Sequence, residues 1–391
     1  MNDSARRPLA RRTPLVLAAL VVITIVGFAL VSRLVARLKA NQKQIAWHAY
    51  EAGLAEVSAG RPERALDDFR AALVYDSNNS TYQLNLARAL RDTGRLDESE
   101  AYLLRLWSAA PQDSTINLAL ARLGARRGSV DDALRYYHNA IYGLWANNPN
   151  QNRRQTRFEL IEFLLKQNAF PQAQSELLAL AQVLPSDPGE HLKVAKLFAE
   201  AQDYPNALQQ YQLVLKLNGK SLEALAGAGE AAFRSGRYRT AVRYLQESLK
   251  ADPGAARARS QLETATLVLA ADPFLRRISD MERNRRIEGA FAQAGDRLKN
   301  CAQQKGVDLT LPSSNGSPLT PGSELPELWN RWQAARADLG HLRVLSNTDL
   351  PDRLMDIVFQ IEKQTALQCG DPSGRDLALL LISRDREAVD Q

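Results

Sequence analysis

From residue 46 to residue 255, small, aromatic and apolar side chains recur on a 34-residue period, and the same few places are filled six times. An apolar or small residue stands at the eighth place, Ala or Ser at the twentieth, an aromatic residue or Leu at the twenty-fourth, and often Pro near the thirty-second. In the first copy Gly53, Gly60, Ala65, Phe69 and Ala72 are in register, and steps of 34 reach Ser99 and Ala133. After a six-residue insertion, 148–153, the steps resume at Ala173, Ala207 and Ala241, while Pro111, Pro185 and Pro253 close three copies. Such a period among helix-forming residues predicts a solenoid of antiparallel helix pairs, because one pair alone cannot bury its apolar face. The small residues mark where the two helices of a pair nearly touch.

Ahead of the repeats, 14–31 holds Thr24 as its one polar side chain. As a helix it spans roughly 27 Å, close to the thickness of a bilayer core. Arg6, Arg7, Arg11 and Arg12 precede it, and Arg33, Arg37, Lys39 and Lys43 follow it. These flanks favour a transmembrane helix over 14–32 behind a basic tail, 1–13, rather than a buried soluble helix. A cleaved signal peptide is the rival, with Gly27-Phe28-Ala29 as a small-x-small site, but the apolar run continues to Val31. Equal basic counts on the two sides leave the positive-inside comparison nearly tied. The short arginine-rich tail resists translocation, whereas a long downstream domain crosses largely regardless of charge. The expected topology is single-pass in the inner (cytoplasmic) membrane, N-terminus in the cytoplasm and the bulk in the periplasm of a bacterial cell. Good helix formers fill 33–45, so the membrane helix is expected to run on toward the first repeat.

The repeat register resembles the tetratricopeptide repeat over about 210 of the 391 residues. That resemblance implies an all-α fold: a right-handed helical solenoid of about six helix-turn-helix repeats, 46–255. A capping helix follows at 256–271, with Leu262, Thr266 and Leu269 on one side, since a terminal repeat needs a partner for its apolar face.

The segment 272–391 matches no repeat and reads as a small, mostly helical domain. Phe291, Ala294, Leu298 and Cys301 form one helical stripe; Leu328, Trp332, Ala335, Leu339 and Leu342 a second; Leu354, Ile357, Val358 and Ile361 a third. Ser, Pro and Gly between the first two predict a flexible loop near 306–326. The apolar run 377–382 fits a short helix or a strand. Cys301 and Cys369 are the chain's two cysteines. Outside the cytoplasm they can pair; inside it, Cys301 is a buried thiol on its stripe. Two isolated cysteines lack the paired spacing of a zinc site.

Composition adds mainly exclusions. With 50 basic and 44 acidic residues the net charge is +6, too evenly spread for a nucleic-acid reader. The run Arg276, Arg277, Arg283, Arg285 and Arg286 is broken by Asp280 and Glu282 and reads as a solvated face. His48, His138, His191 and His341 are scattered, and neither a phosphate loop nor a G-x-S-x-G elbow occurs. No catalytic residue, cofactor or metal is expected.

In the family resembled, the inner faces of the first helices line a groove. Here the fifth places are Tyr50, Leu84, Leu118, Phe158, Leu192 and Ala226, an apolar ledge that fades at the last copy and reads equally as inter-repeat packing. The ninth, twelfth and thirteenth places hold Arg88, Arg91 and Asp92 in the second copy and Arg122, Ala125 and Arg126 in the third. Four clustered guanidinium groups suit carboxylates, against the plainer reading of a solvated surface. Of the places used by a chaperone-type carboxylate clamp, Asn85 alone corresponds. The expected function is a membrane-anchored scaffold that captures a protein partner, through an acidic segment, in that groove. The alternative is a C-terminal domain that acts on a ligand while the repeats position it.

Overall fold

The computed structural model describes residues 13–310, 324–342 and 349–390, so most of the basic tail and the centre of the loop near 306–326 lie outside the described residues. Among the described residues the fold is all-α, with seventeen α-helices, one short 3-10 turn and no β-strand. The chain divides into two compact units, Met1–Gln167 and Asn168–Gln391. The division falls inside the repeat array, at the turn of the fourth copy.

The first unit contains α1 (Thr13–Ser58), α2 (Pro62–Tyr75), α3 (Ser80–Asp92), α4 (Leu96–Ala109), α5 (Ser114–Arg127), α6 (Val130–Tyr142) and α7 (Pro149–Lys166). α1 is a single uninterrupted helix that carries the apolar run straight into the first repeat. By length and composition it is the one described helix able to cross a membrane. Every residue from Leu17 to Ile45 is exposed, and burial begins at Ala46. The insertion does not bulge out as a loop. It lengthens α7 to 18 residues, against 13 or 14 in α2 to α6. The chain before it folds back, with Ser114 N–H donating to the Leu144 carbonyl at 3.1 Å and Leu144 N–H to that of Gln112 at 2.8 Å.

Three local rules repeat through the array. The twentieth-place residues Ala65, Ser99, Ala133, Ala173, Ala207 and Ala241 are all fully buried, and Ser99 satisfies its hydroxyl on the Ala87 carbonyl at 2.7 Å. A Cβ at Gly53 would lie 2.5 Å from the Phe69 ring, so only Gly fits between those helices. The fifteenth place takes a left-handed backbone in every copy: Gly60, Gly94, Gly128, Asn168, Gln202 and Gly236 all have φ between 56° and 81°. Four copies use Gly there, where no Cβ opposes the turn; Gln202 holds the same turn against that steric cost. Asn79 and Asp113 then cap α3 and α5, each accepting from two backbone N–H groups.

The second unit continues with α8 (Phe170–Ala181), α9 (Pro188–Glu200), α10 (Tyr204–Leu217), α11 (Leu222–Arg234), α12 (Tyr238–Ala251) and α13 (Ala256–Ala271). It ends with α14 (Asp280–Lys305), α15 (Leu325–Arg336), the 3-10 turn Asp338–His341, α16 (Leu350–Cys369) and α17 (Gly374–Asp390). The run 377–382 is therefore helical. The three apolar stripes of this region are buried together, with Leu339 and Ile357 packed at the margin. Gly295 admits the Trp332 indole, which stacks on Phe291 at 5.2 Å and donates to its carbonyl at 2.9 Å. A disulfide joins Cys301 to Cys369, tying the end of α14 to the end of α16 with Cα atoms 5.7 Å apart.

The stripe expected on α13 is shifted. Ala258, Ala265 and Val268 are buried, Leu262 and Leu269 are half-buried, and Thr266 is exposed with its hydroxyl on the Leu262 carbonyl. Arg259, Ser260, Glu263 and Thr266 form an exposed polar face on α13. α12 and α17 both pack on the helix, and Tyr238, Ala265 and Val268 belong to one core with Leu379 and Ile382.

Candidate functional site

Tyr50, Leu84, Leu118, Phe158 and the four arginines lie in the first unit, on α1, α3, α5 and α7, while the ledge residues Leu192 and Ala226 lie on α9 and α11 of the second. The ledge divides. Tyr50 and Leu118 are buried, whereas Leu84 and Phe158 are half-buried. The Tyr50 ring is held in packing: it stacks on Tyr82 at 4.7 Å and lies 5.8 Å from Phe69. Its hydroxyl accepts from Asn85 Nδ2 at 3.1 Å, and burial raises its pKa. Asn85 also donates to the Thr81 carbonyl at 2.9 Å, so its amide protons are spent on the first and second repeats and are not offered as a clamp would require.

The arginines divide too. Arg122 donates two hydrogen bonds to Glu159 of α7, Nε to Oε2 at 2.9 Å and Nη2 to Oε1 at 2.6 Å. Arg91 turns back on its neighbour Asp92 at 2.7 Å. Arg126 is exposed. Arg88 is the residue left over: half-buried, with its Nε buried and without a hydrogen-bond partner, as is Nη1 of Arg91. Burial lowers the Arg88 pKa, and the charges of Arg122 and Arg91 lower it further. Arg88, Arg91 and Arg122 therefore form one cluster. Beneath them Tyr137 of α6 is buried, its pKa pushed up to about 12 by burial and by Glu159.

Two members of this cluster escape a reading of the sequence. Glu159 occupies the sixth place of the fourth copy, outside the ninth, twelfth and thirteenth, and it neutralises Arg122. Tyr137 occupies the twenty-fourth place, where an aromatic residue reads as core. Four arginines against Asp92 give this stretch +3 in sequence; Glu159 reduces it to +2, carried by Arg88 and the exposed Arg126 beside two neutralised pairs.

The second unit holds a cavity of about 610 Å³ between α12, α13, α17 and the segment after α13. Its floor includes Val268, Leu269 and Ile382, and Tyr238, Asp272 and Asp385 supply polar groups. Arg386 closes one side, its guanidinium 3.8 Å from the centre of the Phe274 ring. No group of three or more His, Cys, Asp or Glu among the described residues could hold a metal ion.

Paired helices, a small residue buried at every twentieth place and a left-handed turn at every fifteenth define a helical-repeat protein. Residues 56–123 and 226–262 match family profiles of the tetratricopeptide repeat. The chain carries tetratricopeptide repeats. It is similar to the tetratricopeptide repeat protein 21 homologs of Caenorhabditis briggsae and Caenorhabditis elegans. Identity is 25% over 181 residues, 44% of this chain, for the first and 24% over 196 residues, 48% of this chain, for the second. The matched region spans 13% and 14% of those much longer relatives. Among solved structures, PilW, a type IV pilus biogenesis factor, is 17% identical, with 57% of this chain and 99% of that one covered at a TM-score of 0.38. The C-terminal part of a tetratricopeptide repeat-containing protein of Cytophaga hutchinsonii is 13% identical, with 61% of this chain and 93% of that one covered at a TM-score of 0.42.

Proposed function

We propose that this protein is a membrane-anchored scaffold that captures an acidic segment of a protein partner on the first helices of its second to fourth repeats, without chemistry of its own. The observation that carries the reading is Arg88. Arg88 is half-buried and pairs with no acidic side chain among the described residues, so its positive charge is uncompensated, and a partner carboxylate would neutralise it. The half-buried Leu84 and Phe158 offer apolar contact beside it.

Anchoring draws support from the exposed apolar helix, long enough to cross a bilayer, and from the basic residues that follow it. The Cys301–Cys369 disulfide supports an N-in topology with the repeats in the periplasm, where such bonds persist. The test is capture in place. A photo-crosslinking residue at Leu84 in the full-length chain should trap a partner in membranes, and the same residue at the exposed Arg95 should not. Equal trapping at both positions would remove the groove from the account. A reporter active only outside the cytoplasm, fused after Gln391, should be active.

The second reading, a ligand site in the C-terminal region, draws on the 610 Å³ cavity. Truncation at Ala271 cannot decide between the two, because it strips α17 from α13 and opens their shared core. Filling the cavity with Leu269→Trp in the full chain separates them: partner capture at Leu84 should persist, and loss of function without loss of capture would favour the cavity.

A further inference from the structure

In α1, the segment between the apolar run and the first repeat has two distinct sides. Val31, Leu34, Leu38 and Ile45 follow one another at spacings of three, four and seven, and are 61%, 59%, 55% and 39% exposed. At 3.6 residues per turn they share one face, while Arg33, Arg37, Lys39 and Lys43 all lie about 100° or more round the helix from Leu38. The structure therefore carries a charge-free seam, apolar but for Asn41 and Gln42 at its margins, that nothing among the described residues covers.

We infer that this seam is the self-association surface of the protein, joining two copies through a parallel pairing of their α1 helices. The inference rests on the anchored reading above. Two copies inserted in one membrane with one topology are held parallel and at equal depth, so each seam residue meets its own counterpart across a two-fold axis. The seam then matches itself by construction: Leu34 and Leu38 face Leu34 and Leu38, and all four basic residues point away from the contact. Asn41 falls on the same seam three residues after Leu38, where a facing pair of amides fixes register. Toward the bilayer the seven-residue pattern continues through Gly27 and Thr24, and Gly27 has nothing within 4 Å of where a Cβ would stand, leaving room for close helix approach.

Lipid does not cover the seam. α1 runs unbroken from the apolar stretch into the repeat, so at 1.5 Å per residue Ile45 stands roughly 21 Å beyond Val31 along the helix and out of the hydrocarbon. A lone helical segment of this length is also marginal in water, which a partner helix remedies.

The test uses the full-length chain in its native membranes, with one cysteine introduced at a time. Cys301 and Cys369 occupy each other, so the added thiol is the free one. Under copper-phenanthroline oxidation, Leu34→Cys, Leu38→Cys and Asn41→Cys should each give a band at twice the chain mass on a non-reducing gel. Lys39→Cys and Lys43→Cys should lose that band, and Leu38→Glu should abolish the one formed by Leu34→Cys. The same dimer yield from every position, or none from any, in chains that resist alkaline carbonate extraction would overturn the pairing and leave the anchor standing. Adducts of another mass would assign the seam to a different membrane protein and likewise overturn it. Chains released by carbonate would overturn the anchor and the pairing together.

Discussion

Arg122 of the third repeat holds Glu159 of the fourth in a two-point ion pair, with both nitrogen–oxygen distances below 3 Å. It is a stacking contact between repeats before it is a binding group, and that separates it from Arg88. Two parallel charge-assisted bonds on partly shielded side chains stabilise more than an ordinary surface pair, by about 1 kcal/mol. Either Arg122→Ala or Glu159→Ala should cost that amount in urea denaturation. The double variant should cost scarcely more than either single one. Additive losses would mean that the pair contributes no coupling.

Gln202 is the clearest misfit of the array. It takes φ of 60° at the place where four other copies have Gly, and its side chain is exposed, so replacement removes no packing. Gln202→Gly should stabilise the protein by about 1 kcal/mol, whereas Gly94→Gln should destabilise it by a similar amount. A lower melting temperature for Gln202→Gly would show that its side chain makes contacts of greater weight than the strain.

Glu362 of α16 is fully buried, 3.2 Å from Arg297 Nε, and Asp376 shares the same guanidinium. Burial pushes its pKa up to about 8, the Asp376 charge adds to the rise, and Arg297 opposes it. The folded state therefore holds a proton that the unfolded chain releases near its ordinary value, so stability falls as pH climbs from about 4.5 toward 8. The expected loss over that window is on the order of a few kcal/mol. Glu362→Gln should flatten the slope and make the protein more stable than the parent at pH 8. An unchanged pH profile would mean that Glu362 is ionised in the fold.

The Cys301–Cys369 bond closes a loop of 68 residues' separation. Chain entropy assigns such a crosslink roughly 4 kcal/mol. Cys301→Ser with Cys369→Ser should lose most of that, and the denatured parent should take thiol label only after reduction. Two labelled thiols in unreduced, freshly isolated membranes would contradict the bond and weaken the export argument with it.

What the sequence revealed and what it hid have physical reasons. Ala65, Phe69 and Ala133 were legible because helix contact recurs at a fixed place and tolerates only a few sizes. The fifteenth-place turn was not, because Asn168 and Gln202 adopt the glycine conformation without being glycine. Arg88 and Arg122 look alike in sequence and differ only through Glu159, which tertiary stacking brings from 37 residues away. On α13 the leucines suggested a face that the small Ala258 and Ala265 take instead, since closely approaching helices prefer small residues. The run 377–382 carries no period because its helix is buried on several sides.

The central claim is that Arg88 receives an acidic segment of a membrane-associated partner. It is tested most directly by the affinity of the crosslink-identified partner for the detergent-solubilised full-length protein, parent against Arg88→Gln, across a salt series. The account predicts binding about ten-fold weaker for Arg88→Gln, equivalent to about 1.4 kcal/mol. Helical content and melting should be unchanged, and the parent's on-rate should fall as salt rises, because exposed charge attraction is screened beyond about 8 Å at physiological ionic strength. Equal affinity of the two proteins at every salt concentration would contradict it.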